Sequence, residues 1–302
     1  MLTGKTLISQ LAAIIVLSFH FMLCDAQTNV TSKIKNPSFE NGFTSWTNVN
    51  MQTQSNSDFT KKAGTYYAEK WTSSGNKIGD AEVSQTIKSL PAGAYELTVA
   101  AQNIQQNSSK AQTGAWIFAN DARKDVNARN DYKLSFINIE NDVTIGFKAE
   151  GATGNWIAVD NFRLTFTETD ISVLREELQS RIDNAKTLSE EKMNKDELAA
   201  LLSAISKAEA VLGESTADNY PGVATPLRNA SKSAQTSVDA YKELLSAITA
   251  AEKDYGDGTG KQAEDYLAAI NHAKETYNSD GSSISTLAQE VENLSNAAFA
   301  QW

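Results

Sequence analysis

Two short stretches of this chain carry residue types that could bind a ligand or a metal ion. In "TYYAEKW", Tyr67, Glu69 and Trp71 recur at every second position, so they share one face if the stretch is a β-strand. In "GNWIAVDNFRLTF" the apolar alternation slips by one residue at Asp160, which indicates a β-bulge that re-aims the neighbouring side chains. An acidic residue at a bulge can form a turn, hydrogen-bond loop amides or bind a metal ion. The local sequence leaves all three open.

The N-terminus has the pattern of a secretory signal peptide. Residues 1–26 contain an early lysine, an apolar run and then small residues, which predicts cleavage after Ala26 and a secreted, periplasmic or cell-surface protein. The apolar run is short for a membrane span, which needs about 20 residues. Cys24 also allows a lipoprotein, although Leu23 before it is bulky for that signal.

The composition of the remaining chain excludes most catalytic chemistry. The whole chain has one cysteine and two histidines, and the predicted signal peptide takes away all but His272. Disulfides, thiolate nucleophiles, zinc clusters and Ser-His-Asp triads are therefore excluded from the mature protein. The formal net charge of −10 argues against binding to nucleic acid or to anionic membrane surfaces.

After a predicted linker at residues 27–33, the stretch 34–167 alternates with the period of β-strands. In "AYELTVAA", for example, Tyr95, Leu97 and Val99 lie on one face. Several such strands separated by turn signals predict an antiparallel β-sandwich or jelly roll. Trp46 is expected in its core. Four of the five tryptophans fall in this half: Trp46, Trp71, Trp116 and Trp156.

From Asp170 onward the apolar period becomes helical. Asp170 is a plausible N-cap for the first helix and Asn194 for the second. Pro226 suits the first turn of a third helix that continues to Tyr255. The fourth and fifth helices are expected at about 261–277 and 285–302. The complete change of period at 167–170 predicts two halves that fold independently.

The helices of residues 170–302 also repeat. Residues 178–188 align with 244–255, and 201–212 with 266–277, at offsets of 66 and 65 residues. A competing offset of 43 residues matches one pair with more identities, but the longer offset accounts for three helices in order. We therefore expect two three-helix bundles that share a long helix, with their junction near 241–244. Such bundles usually serve as spacers or as arms that bind protein partners.

Both halves resemble known protein modules. The segments "NPSFENGFTSW", "VSQTIKSLPAGAYELTVAAQ" and "TGNWIAVDNFRLTF" resemble galactose-binding-like jelly rolls related to carbohydrate-binding modules. Modules of this kind stand at the N-terminus of secreted bacterial polysaccharide lyases and glycoside hydrolases. The resemblance covers about residues 34–167. The helical half is similar to the FIVAR repeats of bacterial surface proteins through its Leu/Ala spacing.

The first resemblance implies a structural calcium ion between the first and last strands. The matching positions here are Glu40 in "NPSFE" and Asp160 in "VDNF". Calcium prefers six to eight oxygen ligands, so backbone carbonyls and water would complete this set. The alternative is that Asp160 hydrogen-bonds loop amides and no metal binds.

The resemblance also implies glycan binding, and the aromatic residues suit it. Candidate binding residues are Trp71, Tyr67 and Glu69 on one strand face, together with Trp116 and Trp156 beside polar loops. The alternative for each aromatic residue is a place in the sandwich core.

Three functions remain open from the sequence. The first is a non-catalytic carbohydrate-binding protein, or the N-terminal targeting portion of a longer polysaccharide-degrading enzyme. The second is an enzyme. Catalysis within this chain would need two carboxylates across a cleft, and no spacing requires such a pair. The third is a surface adhesin or assembly component whose helical repeats bind protein. The fifth helix runs to the last residue without a stop signal, which suits either a terminal helix or a cut from a longer product.

Overall fold

A computed structural model describes residues 27–106, 108–256 and 261–299 of the chain. The predicted signal peptide lies outside these residues. Among them, no helix is both long and apolar enough to cross a membrane. The strands are β1 (Thr28–Asn29), β2 (Thr47–Val49), β3 (Gln52–Gln54), β4 (Tyr67–Trp71), β5 (Gly79–Ile87), β6 (Gly93–Ile104), β7 (Ala115–Ala119), β8 (Ala122–Asp125), β9 (Asn130–Asn138), β10 (Val143–Ala152) and β11 (Trp156–Thr167). The helices are α1 (Ile171–Ser189), α2 (Lys195–Val211), α3 (Tyr220–Tyr255), α4 (Lys261–Asn278) and α5 (Ile284–Phe299).

The strands form two antiparallel sheets, as the sequence predicts. One sheet has the order β3-β4-β11-β6-β9, with β1 added on β11, and the other has the order β2-β5-β10-β7-β8. Alternate residues of the longer strands enter one shared apolar core, to which Leu97, Val99 and Phe147 contribute fully buried side chains. Trp46 is buried in this core, where its ring lies 4.7 Å from that of Phe162.

The bulge predicted in β11 is confirmed. The pairing of β11 with β6 shifts register between Asp160 and Arg163, and Asn161 between them has φ +54°. This extra residue lets Val159 and Phe162 both point into the core, although they are three positions apart. The bulge therefore restores the inward series after Asp160, and it leaves the Asp160 side chain on the other face of the sheet.

The helices form tandem three-helix bundles around two separate apolar cores. Helices α1, α2 and the first half of α3 enclose one core, and the second half of α3 encloses the other with α4 and α5. The cores meet inside α3, between Val238 and Tyr241. Ile182 and Ile248 are buried at equivalent places, as are Ile205 and Ile270. Ile205 and Ile248, which the shorter offset aligns, are both buried as well, so this burial is compatible with either sequence offset.

The predicted start of α3 at Pro226 is wrong. The helix begins at Tyr220, Pro221 occupies its first turn, and Pro226 lies inside it. A proline inside a helix loses the hydrogen bond to the carbonyl four residues earlier, which here belongs to Gly222. Tyr220 and Leu227 are buried in the first helical core. Burial of this extra turn outweighs the local cost of the proline, and a local pattern does not contain that contribution.

One loop of the sandwich reaches into the helical half. Ile139, which follows β9, is fully buried and belongs to the core of the first bundle. Its neighbour Glu140 is also buried and forms ion pairs with Arg181 of α1, at 2.6 Å, and Arg228 of α3, at 3.0 Å. The sandwich and the first bundle thus share both apolar and ionic contacts.

Candidate functional site

Four of the five predicted glycan-binding residues lie together on the outer face of the six-stranded sheet. Residues directly opposite on neighbouring strands share a face, and Trp156 of β11 pairs with Trp71 of β4. Ala158 pairs with Glu69 in the same register. Because the core-facing residues of β11 are Ile157 and Val159, the Trp156 face points away from the core.

The four residues differ sharply in exposure. The Trp71 side chain is 59% exposed, whereas Tyr67 is 0%, Glu69 3% and Trp156 7% exposed. Trp71 ends β4 at the rim of the sheet, as expected from the Gly/Ser-rich stretch that follows it. Only Trp71 among them offers a flat apolar ring to solvent.

Glu69 is a buried carboxylate surrounded by neutral hydrogen-bond donors. Its Oε1 accepts from the amides of Gln52 (3.1 Å) and Gln54 (3.4 Å). Its Oε2 accepts from the indole N–H of Trp156 at 2.8 Å. The Tyr67 hydroxyl lies 3.3 Å from Oε2, but its one proton also points to Asn56 Oδ1 at the shorter distance of 2.7 Å. The two amides and the indole thus occupy about three of the four lone-pair directions of the carboxylate. Glu69 therefore positions the side chains around it and has little acceptor capacity left for a ligand.

A pocket of about 370 Å³ lies beside Trp71 at the edge of the sheet. The sequence interpretation missed its second wall, which comes from β3 and the residues just before it. A signal was available, because Gln52 and Gln54 also recur at every second position. The lining residues are Asn50, Met51, Gln52, Glu69, Lys70 and Trp71.

Residues 55–66, which we call the covering segment, lie over the rest of this face. Phe59 in it is fully buried, and its ring lies 5.3 Å from that of Tyr67. Phe59 and Tyr67 form a small apolar cluster with Trp156 and with Ala100 and Ala158 of the sheet. The outer face is thus open at Trp71 and closed at Tyr67.

Trp116 lies apart from the other predicted binding residues. It belongs to β7 of the five-stranded sheet, and its ring lies 5.3 Å from the guanidinium of Arg123 and 5.8 Å from the amine of Lys148. Alternation within a short stretch predicts the face of one sheet, but only the pairing of strands shows which sheet a residue belongs to.

The two predicted metal ligands, Glu40 and Asp160, hold the same end of the covering segment. The backbone N–H of Ala63 donates to Asp160 Oδ2 at 2.6 Å. The N–H groups of Thr65 and Tyr66 each donate to Glu40 Oε1 at 2.9 Å. We call these contacts of Glu40 and Asp160 with residues 63–66 the acidic clasp.

Gly64, inside the clasp, has φ +82°, and a Cβ at this position would lie 2.6 Å from Glu40 Oε1. Both the backbone conformation and the close approach of the carboxylate therefore require glycine here.

The carboxyl group of Asp160 is fully buried. Burial, with a further contribution from the Glu40 charge, raises the pKa of Asp160 to about 7. Its Oδ1 is buried and has no hydrogen-bond partner in the described part of the chain. No three His, Cys, Asp or Glu side chains gather there as a metal site. Asp160 and Glu40 thus fit a calcium ion in charge and donor type, provided that carbonyl or water oxygens complete the set.

A larger cleft of about 870 Å³ lies between the sandwich and helices α1 and α3. The cations that line it are already paired, because Arg181 and Arg228 contact Glu140 and Lys232 contacts Asp121. Without an exposed aromatic ring or an unpaired cation in its lining, this cleft is the weaker candidate for ligand recognition.

Comparisons with known proteins find similarity only among solved structures. No family model matches the sequence, and no curated protein matches it. TmCBM61, solved with β-1,4-galactotriose, is 22% identical over 45% of this chain and 98% of its own, with a TM-score of 0.35. A cyclase from Fischerella sp. TAU is 16% identical over 48% of this chain and 100% of its own, with a TM-score of 0.36.

A third similar structure contains the CBM22-1 and GH10 modules of Clostridium thermocellum endo-1,4-β-D-xylanase 10B with xylohexaose. It is 14% identical over 44% of this chain and 28% of its own, with a TM-score of 0.29. At these identities and TM-scores, none of the three likenesses assigns a function to this chain.

Proposed function

We propose that this protein binds glycans without cleaving them, at the pocket beside Trp71. The observation that supports this best is the 59% exposure of a tryptophan at the mouth of a polar pocket. A flat indole can stack against the apolar face of a sugar ring. Asn50 and Gln52 in the pocket wall can donate and accept hydrogen bonds, and Lys70 can donate them to hydroxyl oxygens.

In this proposal Glu69 is a positioning residue. It fixes the Gln52 amide on one side and the Trp156 indole on the other. The polar wall of the pocket is thereby held in one arrangement before the sugar arrives, which lowers the entropy cost of binding.

The affinity of one such site is expected to be weak. Stacking contributes on the order of 1 kcal/mol beyond area burial, which suits dissociation constants of about micromolar to millimolar. Weak sites suffice when a tethered partner domain supplies avidity, and the helical bundles can act as the spacer.

Affinity electrophoresis on polysaccharide gels tests the site. Trp71→Ala should abolish retardation and change the melting temperature only slightly, because the side chain is mostly exposed. Leu202→Ala is the matched control, since Leu202 of α2 is another large exposed apolar residue, 48% exposed, far from the pocket lining in the sequence and outside it in the structure. Unchanged retardation of Trp71→Ala on every polysaccharide that retards the wild type would refute the site.

We also propose that Glu40 and Asp160 bind a structural calcium ion. The proposal is supported by the Oδ1 of Asp160, which has no hydrogen-bond partner among the described residues, and by the Glu40 carboxylate at the same end of the covering segment. Bound calcium would supply positive charge to both carboxylates and tie the covering segment to the bulge.

Melting temperatures in calcium and in EDTA test the metal. The wild type should melt higher in calcium, and Asp160→Ala should lower the melting temperature more in calcium than in EDTA. A wild type that melts at the same temperature in both buffers would remove the metal and leave Asp160 as a hydrogen-bonding residue of the bulge.

We further propose that the protein is secreted, after cleavage behind Ala26, to where polysaccharides are met. The support is the pattern of residues 1–26 alone. N-terminal sequencing of protein recovered from the producing cells should begin at Gln27, and a retained N-terminus would contradict the proposal.

A further inference from the structure

A row of buried polar groups continues beneath the covering segment, beyond the Trp71 pocket. Gln102 of β6 lies directly opposite Ala158 of β11, which in turn lies opposite Glu69. Gln102 is 0% exposed, and its Nε2 has no hydrogen-bond partner within the described residues. A buried amide donor without a partner is costly, so such a group calls for an explanation.

The groups around Gln102 are suited to a sugar. Its Oε1 accepts from Arg129 Nε at 2.6 Å, and the Arg129 guanidinium lies 5.3 Å from the centre of the Trp156 ring. Removal of the covering segment would therefore present one free amide donor and an indole that carries a guanidinium over its ring, on a continuous surface with Trp71. This set matches a neutral, hydroxyl-rich ligand, because the Glu69 carboxylate already accepts from three neutral donors and the Arg129 guanidinium already donates to Gln102 and Thr60.

The covering segment is attached to this face by Phe59, by a hydrogen bond from the Tyr67 hydroxyl to Asn56 Oδ1 at 2.7 Å, and by polar contacts at its rim and end. Phe59 is the apolar side chain by which it enters the face. Thr60 contacts Arg129 at 3.2 Å, and Lys61 pairs with Asp131 at 2.8 Å between two side chains that are each over a third exposed. Exposed pairs of this kind contribute little to stability. The acidic clasp on residues 63–66 is stronger than these exposed pairs because it uses carboxylates against backbone N–H groups.

We propose that the covering segment is a lid over a second sugar subsite formed by Trp156, Gln102 and Arg129. This inference rests on the proposed function and deepens it: a single sugar occupies the Trp71 pocket, and a longer neutral oligosaccharide extends beneath the lid. The acidic clasp holds the lid closed. Closure of the lid therefore lowers the affinity for long oligosaccharides and does not change the affinity for single sugars.

Two glycine substitutions separate the clasp from ordinary backbone strain. Gly64→Ala places a Cβ 2.6 Å from Glu40 Oε1 at φ +82° and should open the clasp. Gly75→Ala is the matched control, because Gly75 has φ +89° and nothing lies within 4 Å of its added Cβ. Both changes carry similar backbone strain, and only the first disturbs Glu40.

Hydrogen exchange and ligand affinity are measured for both variants and the wild type at one fixed calcium concentration. The probes are cello-, galacto- and xylo-oligosaccharides, each beside its monosaccharide. In Gly64→Ala, amides of residues 55–66 should exchange faster, and affinity for the oligosaccharide relative to its monosaccharide should rise severalfold. Gly75→Ala should change neither. Faster exchange with an unchanged affinity ratio would overturn the subsite, and unchanged exchange would overturn the lid.

Failure of the lid can be distinguished from failure of the proposed function. If the wild type binds none of these glycans, the proposed function fails, and the lid is judged by the Trp156 indole N–H alone. This proton is hydrogen-bonded to Glu69 beneath the lid. Its NMR signal should exchange with water faster in Gly64→Ala than in Gly75→Ala, and equal rates would refute the lid.

Discussion

Glu140→Ala should loosen the sandwich from the first helical bundle. The Glu140 carboxylate is fully buried between Arg181 and Arg228, and its Oε2 also accepts from the hydroxyl of Thr225 at 3.0 Å. Removal of this side chain leaves two arginines facing each other at the interface. The substitution therefore tests whether this ion cluster joins the two halves of the protein.

The expected loss of stability depends on which ion-pair partners each arginine keeps after Glu140 is removed. Breaking a buried ion pair by removing one partner costs about 3–5 kcal/mol. Arg181 keeps its second partner, Glu177, at 2.8 Å, so we expect the lower end, about 3 kcal/mol. For a cooperative unit of this size that corresponds to roughly 6–12 °C in melting temperature.

Differential scanning calorimetry of the full chain measures this loss. The wild type should show one transition for the sandwich and first bundle, and Glu140→Ala should lower or split it. Glu150→Ala is the control because its pair with Lys148 is solvent-exposed and should contribute about 0–1 kcal/mol. If both variants melt alike and the two halves melt separately in the wild type, the Glu140 ion cluster does not join the halves. The sequence prediction that they fold independently would then hold.

Two further predictions concern the helices. Glu290 raises the pKa of His272, so this pair stabilises the second bundle below the ordinary histidine pKa of 6.5, and the stabilisation is lost as pH rises through the raised value. Urea unfolding should show this pH dependence in the wild type and lose it in His272→Gln; equal dependence in both would contradict it. Asn194 caps α2 through Asp196 N–H, so Asn194→Ala should cost about 1 kcal/mol. Asn194→Ser keeps a capping acceptor and, like Asn194→Ala, lacks the Nδ2 that donates to the Ser282 carbonyl at 3.0 Å. It should therefore be more stable than Asn194→Ala in the same assay, whereas equal losses would refute the cap.

Local patterns in the sequence predicted the elements and much of the fold. Alternation predicted the strands, the slip at Asp160 predicted the bulge, and Asp170 and Asn194 are the helix caps that were expected. The sequence failed at the start of α3, because burial of Tyr220 in a distant core outweighs the local signal of Pro226. Fold class follows from period, whereas helix limits also depend on contacts between distant segments.

The candidate site likewise has features that the sequence predicted and features that depend on contacts between distant segments. The sequence by itself determined that Tyr67, Glu69 and Trp71 share a face, because side chains of a strand alternate with a fixed period. Only the tertiary structure decided that Trp156 joins them and Trp116 does not, since strand pairing places β4 and β11 in one sheet and β7 in the other.

The exposure of the candidate site residues also depends on the tertiary structure. The covering segment buries Tyr67, Glu69 and Trp156 and leaves Trp71 exposed. Glu40 and Asp160, which are 120 residues apart in the sequence, both bind one end of that segment. Period depends on the geometry of a few consecutive residues, so the sequence contains it. Burial and partners depend on which distant segments meet, and only the folded chain brings those together.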